Sequence, residues 1–208
     1  MTIFSAADLR ARLPRLVGPA PGGEVKDIGD HVLNPDWAQL VEGPAAREAA
    51  VLVPVVDDPD GARVILTRRS DALRKHSGQV AFPGGSIDPT DASPEAAALR
   101  ESREEIGLDS AFVETLGRLP AYRTTTGFRI TPVLGIVSPG FALTPDPAEV
   151  ADIFEVPLAF LMDAANHRRE SRLFQGHERF YYSMPFGGQI IWGVTAGIVR
   201  ALYERLYA

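Results

Sequence analysis

Cysteine is absent from the 208 residues of this chain. That removes a disulfide framework, a zinc–thiolate site and a thiol nucleophile together. Long hydrophobic runs are missing as well. No stretch of 18 or more apolar residues occurs, so nothing reads as a membrane-spanning helix. The order of residues from Met1 to Leu16 is not the basic-then-apolar order of a signal peptide, and a cytoplasmic location is the expectation. Histidine is scarce: His31, His76, His167 and His177 stand apart, with no pair at metal-ligand spacing. Neither a Gly-x-Ser-x-Gly elbow nor a phosphate loop ending Gly-Lys-Ser/Thr is present, which sets aside two other routes to nucleophilic or nucleotide chemistry. A net charge of −6 argues against nucleic acid as partner. An apolar fraction of 45% at this length suits one globular domain with a substantial core.

What the chain does have is acid concentrated at one place. Arg100-Glu101-Ser102-Arg103-Glu104-Glu105-Ile106-Gly107-Leu108 puts three carboxylates into five residues. At about 100° per residue, Glu101 and Glu105 lie about 40° apart, with Glu104 about 60° to the other side of Glu101. Like charges so close repel, which calls for a cation. An acidic run on a helix is ordinarily a solvated face; its surroundings argue otherwise here. Ser93 suits an N-cap, Pro94 the first helical position, and Gly107 a left-handed stop. Leu99, Ser102 and Ile106 form the opposite, inward face, and Arg100 is spaced to pair with Glu104. Upstream, Gly84-Gly85 lets backbone approach a ligand closely. Glu101, Glu104, Glu105 and the Gly85 carbonyl are therefore candidate ligands, and an all-oxygen set suits Mg²⁺ or Mn²⁺.

The run from Gly85 to Leu108 resembles the Nudix box, which ends R-E-U-x-E-E-x-G-U with U a bulky aliphatic residue. Ser102 stands at the first U position, the spacing from Gly85 to Arg100 is one residue longer than in the general box, and Ala92 occupies the place of the usual loop glutamate, with Asp91 beside it as a substitute. A second run, Leu66-Thr67-Arg68-Arg69-Ser70 followed by Arg74, Gly78 and Phe82-Pro83-Gly84-Gly85, is similar to the motif that precedes the box in the coenzyme A pyrophosphatase branch.

The resemblance implies an α/β fold, the Nudix-type α/β/α sandwich with a mixed β-sheet. It also implies metal-dependent hydrolysis of the diphosphate bond of coenzyme A or its derivatives, giving 3′,5′-ADP and 4′-phosphopantetheine. Glu101, Glu104 and Glu105 would hold the metal, Glu104 or Glu149 would act as base, with Glu155 a rival to Glu149, and Arg69, Arg74 and Lys75 would meet the 3′-phosphate. The partner implied is a nucleotide-containing small molecule, with no nucleic acid and no membrane, and a homodimer is compatible with it. Hydrolysis of ADP-ribose or NADH, and nucleotide binding without catalysis, stay open as alternatives.

A coarse pass predicts a first helix over Ala6 to Leu16 and a linker over Val17 to Glu24. A hairpin of Ala50 to Val56 and Ala62 to Thr67 turns at Asp57 to Gly61. Strands are predicted at Gln79–Phe82, Phe112–Leu119, Arg129–Val137 and Ile153–Pro157, with a polar stretch over Arg123 to Gly127. A small meander runs from Arg172 to Ile191, and a last helix from Val194 to Leu206. Residues 1–48 are expected as a helical extension and linker, and 49–208 as the hydrolase domain.

Overall fold

The computed structural model describes residues 3–17, 27–37, 47–73, 76–174 and 176–208. In chain order its elements are α1 (Ala6–Val17), β1 (Ile28–Gly29), α2 (Asp30–Leu33), β2 (Arg47–Val56), β3 (Arg63–Arg69), β4 (Val80–Ala81) and β5 (Gly84–Ser86). There follow α3 (Pro94–Ile106), β6 (Val113–Arg118), β7 (Tyr122–Arg123), β8 (Phe128–Val137), β9 (Val150–Pro157) and α4 (Leu158–Leu161). The chain closes with β10 (Arg168–Phe174), β11 (His177–Phe186), β12 (Gln189–Trp192) and α5 (Val194–Leu206).

β2 organises the sheet. Its sequence is rich in valine and lacks polar residues from Ala49 onward, as a strand covered on both faces requires. On one edge it pairs in parallel with β8, from Arg47 opposite Phe128 to Val56 opposite Val137. Its other edge is shared. β3 pairs with it only at Val55 and Val56, β5 takes Ala49 to Val51, and Leu52 N–H donates to Pro83 O at 2.9 Å between them. β3 then runs on to pair with β4 and β9. The sheet therefore forks along β2, and the acid helix follows from the strand that enters the fork.

Alternation along β2 and β8 sends side chains into two cores. Ala50, Leu52, Val133 and Val137 pack with Ala97, Ala98 and Ile106 of α3. Val53, Val55, Leu134 and Ile136 share the opposite cluster with Leu9 of α1 and Ile198 and Leu202 of α5. This is the α/β/α sandwich with a mixed sheet. β10, β11 and β12 form a separate antiparallel sheet that contacts the main body through α5, β4 and α2. α1 is fastened to the end of the chain: Arg12 and Arg15 donate to Leu206 O at 2.9 and 3.1 Å, and Arg205 donates to Leu16 O at 3.0 and 3.2 Å.

The first and last helices, the β2–β3 hairpin and the meander lie where the sequence predicts them. The predicted linker lies outside the described residues apart from Val17, which ends α1. β1, α2, β5 and β7 go beyond the sequence reading. Each is two to four residues long, too short to show a period. The segment read as a Gly-Gly loop is a strand, because β2 supplies the partner that glycine side chains cannot advertise.

Candidate active site

Both glycines of β5 are fixed by their neighbours. Gly84 has φ +150°, and a Cβ there would stand 2.4 Å from Ala50 O. At Gly85 a Cβ would lie 2.6–2.7 Å from the carboxylate atoms of Glu101, so that side chain rests directly on bare backbone. Gly84 N–H donates to Glu105 Oε2 at 3.0 Å. The strand that opens the fork thus holds one acid by a hydrogen bond and accommodates another by lacking a side chain.

α3 delivers those acids because its ends are set. Ser93 accepts from Ala96 N–H at 3.2 Å, Pro94 occupies the first turn, and Gly107 stops the helix at φ 69°. Such a cap contributes about 1 kcal/mol. Ser102, the departure from the box, is fully buried and donates to Ala98 O at 2.6 Å, so its hydroxyl is satisfied within the helix. Past Gly107 the chain returns to cover the last turn: Thr144 N–H donates to Ile106 O and Asp146 N–H to Glu105 O, both at 2.9 Å. These bonds answer carbonyls a helix end leaves unpaired and tie the loop carrying Glu149 to the acid helix.

The three acids do not share one environment. Glu105 has 4% of its side chain exposed, Glu101 18% and Glu104 59%. Glu101 and Glu105 face β5, whereas Glu104 stands on the rim. The helical angles are as expected; the depth is set by the neighbouring strand, which angles alone do not reveal. Arg100 holds Glu101 and Glu104 in place. It meets Asp91 through two bonds of 3.1 and 3.0 Å, Glu101 at 3.0 Å, Glu104 at 2.9 Å and Ser86 O at 3.1 Å. Asp91, beside the position of the loop glutamate, is the bidentate partner.

Burial dominates the electrostatics of the inner pair. It pushes the Glu105 carboxyl up to about 7; the Gly84 N–H and Arg69 pull the other way, and the charges of Glu149 and Glu101 add to the rise. Glu101 is also raised, again chiefly by burial. Glu149 is exposed at the start of β9, with its N–H donating to Asp146 O at 3.0 Å and its carbonyl accepting from Ser70 N–H at 2.8 Å. Glu155 sits farther along β9, opposite Ile65, with Arg63 at 3.9 Å.

Arg69 lies 3.6 Å from Glu105 Oε1. Arg74 and Lys75 lie outside the described residues. The structure therefore brings together Glu101, Glu105, Gly85 and Arg69, carries Glu149 within electrostatic reach of both inner acids, and leaves Glu104 at the edge. Sequence reasoning missed the Gly84 amide and the Thr144–Asp146 tether, since backbone donors carry no residue signal. A depression of about 690 Å³ along the outer side of α3 touches this site only at Arg100 and Glu104.

Among the described residues no three Asp, Glu or His side chains are drawn into a ready metal cluster. The donor chemistry nevertheless fits a hard divalent cation. The available atoms are oxygens, and Glu105 is buried beside like charge with its nearest cation, Arg69, 3.6 Å away.

Comparison with known proteins agrees with this geometry. The family model described as NUDIX domain matches residues 46–176. A protein of Cronobacter sakazakii named Uncharacterized Nudix hydrolase NudL is 45% identical over 157 residues, covering 75% of this chain and 81% of its own. Its namesake from Klebsiella pneumoniae (strain 342) is 43% identical over 191 residues, covering 87% and 99%. Among solved structures, the NUDIX domain of Shewanella oneidensis NrtR, complexed with ADP ribose, superposes with a TM-score of 0.50 at 19% identity, covering 83% of this chain and 98% of that one. At that identity the likeness speaks for the fold alone. Nudix hydrolases use divalent cations and act on nucleotide-derived substrates. This chain belongs to the Nudix family and is a diphosphatase of that family.

Proposed function

We propose that this Nudix enzyme hydrolyses the diphosphate bond of coenzyme A or its derivatives, releasing 3′,5′-ADP and 4′-phosphopantetheine. The observation that supports this reading most is the folding of the segment before the box. Thr67, Arg69, Gly78 and Phe82 to Gly85, which resemble the coenzyme A branch, belong to one unit built on β3, β4 and β5. Thr67 Oγ1 donates to Ala81 O at 3.2 Å, and Arg69 N–H to Gln79 O at 2.9 Å. Gly78, at φ +68°, donates its N–H to Arg69 O at 3.2 Å. The unit ends on the strand that binds Glu105, so the motif and the acid helix form one wall.

In this reading Glu101, Glu104, Glu105 and the Gly85 carbonyl hold Mg²⁺ or Mn²⁺, which when bound supplies counter-charge to the phosphoryl oxygens and acidifies a water. The chain's own groups do the positioning. Gly84 N–H keeps Glu105 turned toward β5, and the Asp91–Arg100 pair anchors Glu101 and Glu104. Glu149 takes a proton as the water oxygen bonds to phosphorus and the bridging P–O bond breaks; Glu104 is the alternative base. Arg74 and Lys75 meet the 3′-phosphate. Residues 49–208 carry the chemistry, and the extension before them supplies packing through α1.

The test is parallel cleavage of coenzyme A, dephospho-coenzyme A, ADP-ribose and NADH in Mg²⁺ or Mn²⁺, with products read by mass. A charge-assisted contact contributes about 1.5–3 kcal/mol, so coenzyme A is expected to exceed its dephospho form by roughly tenfold or more in kcat/KM, and Arg74→Ala to remove most of that margin. Faster cleavage of ADP-ribose or NADH rejects the coenzyme A assignment, and cleavage of none of the four favours a binding module.

A further inference from the structure

We propose that Arg69 is a replaceable counter-ion for the metal seat: its guanidinium rests on Glu105 when no cation is bound, and turns to the diphosphate of the substrate once the cation takes its place. The inference rests on the metal-dependent hydrolase reading above and reassigns Arg69 from the 3′-phosphate to the reacting linkage.

Three observations carry it. The first is aim. The register between β3 and β9 shifts between Arg68 and Arg69, so that Arg68 faces Asp152 while Arg69 faces Val150. A bulge re-aims the side chain it carries. Arg68 turns to Asp71, at 3.2 Å, and Arg69 turns into the site toward Glu105. The second is anchorage. Arg69 N–H and C=O are both bonded, to Gln79 O and Gly78 N–H, and Ser70 N–H is bonded to Glu149 O. The backbone beneath the guanidinium is therefore fixed, and the residue after it is tied to the backbone of Glu149. The third is looseness at the tip. Arg69 meets Glu105 at 3.6 Å, beyond the 2.7–2.9 Å typical of a charge-assisted hydrogen bond. Arg100, by contrast, grips Asp91 through two bonds of 3.0 and 3.1 Å. One arginine is a strut and the other a lightly held charge. Glu105 also has its two oxygens divided: Oε2 accepts from Gly84 N–H, and Oε1 faces Arg69. Displacing Arg69 uncovers one oxygen without disturbing the bond that orients the other.

A guanidinium 3.6 Å from Oε1 and a divalent cation on that same oxygen repel each other, so they compete. Loss of an ordinary supporting residue weakens a metal site, whereas loss of a competitor strengthens it. That opposite sign is the test. Mn²⁺ is titrated into the full chain without substrate, by calorimetry, for wild type, Arg69→Ala, Arg69→Lys and Glu105→Gln. Removing one charge-assisted contact predicts roughly tenfold tighter Mn²⁺ binding for Arg69→Ala, with Arg69→Lys between it and wild type and Glu105→Gln weaker than all. The same Arg69→Ala protein is expected to cleave the preferred substrate at least about tenfold more slowly at saturating Mn²⁺. Equal or weaker Mn²⁺ binding by a folded Arg69→Ala or Arg69→Lys overturns the competition while leaving the parent reading standing. Undiminished cleavage by Arg69→Ala overturns the turn toward the diphosphate. Failure of wild type to bind Mn²⁺ overturns the inference and the metal reading together.

Discussion

Asp30 and Glu105 are both buried carboxylates, and they are supported very differently. Asp30 accepts from Tyr122 OH at 3.0 Å, from Thr125 N–H and Oγ1 at 3.1 and 3.2 Å, and from Arg179 at 2.6 Å. Four donors from three residues converge on it, joining α2 to β7 and β11. Glu105 accepts from Gly84 N–H at 3.0 Å and faces Arg69 at 3.6 Å, with Glu101 and Glu149 adding like charge. Burying a charge is costly unless it is paired and hydrogen-bonded. The fold meets that requirement at Asp30 and leaves it short at Glu105. The carboxylate that ties α2 to its neighbours is saturated from within, and the capacity left over at Glu105 is what the proposed metal-holding role would use.

The comparison breaks first at Glu105→Gln. The substitution keeps the Gly84 bond and removes the charge, so the protein is expected to stay folded, with a thermal midpoint in EDTA at or above that of wild type. Turnover is expected to fall by more than the roughly 10–100-fold that loss of an outer-shell partner costs a metal site. Wild-type turnover in a folded variant, or a collapse of the midpoint, sinks the contrast from the functional side.

Asp30→Asn tests the other side, with the signs reversed. It leaves Arg179 facing an uncharged amide in a buried node, and breaking a buried pair costs about 3–5 kcal/mol. Denaturant unfolding is expected to show that loss, while Mn²⁺ affinity of the folded fraction stays within about twofold, a change of under 0.5 kcal/mol. A variant as stable as wild type would mean that the four donors gather there without holding the fold.

Glu95 sharpens the scale with the smallest effect. Its pair with Arg118 holds the carboxyl down at about 2, but Arg118 is half-exposed, so Glu95→Gln is expected to cost under about 1 kcal/mol at neutral pH. A lowered carboxyl contributes stability that is present above its unfolded value of about 4.5 and fades as pH falls toward about 2. The difference between variant and wild type in thermal scans should therefore shrink across that window. A constant difference from pH 7 to pH 2 would assign it to packing.

Much of the site is legible in the order of residues. Ser93, Pro94 and Gly107 mark the ends of α3 through preferences that act within one turn, and all three occupy those roles. Ser102 and Ile106 declare the inward face by spacing alone, while Leu99 lies half-buried at its edge. What escapes is non-local. Glu104 and Glu105 are adjacent in sequence, and nothing there reveals that β5 will bury one and spare the other. Asp30 sits in a segment with no period, and its partners lie 92 to 149 positions away. The fork in β2 arises because Ala49 to Val51 and Val55 to Val56 take different partners, a choice no single strand encodes. Arg69 reads as one of several basic residues until a bulge gives it a direction.

The reciprocal arginine bonds between α1 and α5 bear on the order in which the molecule is made. Arg12 reaches a carbonyl 194 positions along the chain, and contacts of such range slow folding because their closure entropy must be met before they return anything. At 12 residues, α1 is marginal as an isolated helix, and the surface that covers it is shared between α5 and β6. During synthesis Ala6, Leu9 and Leu16 therefore have no α5 to pack against until residues 194–206 have been made, which leaves that apolar face open to a chaperone or to a neighbouring unfinished chain in the meantime.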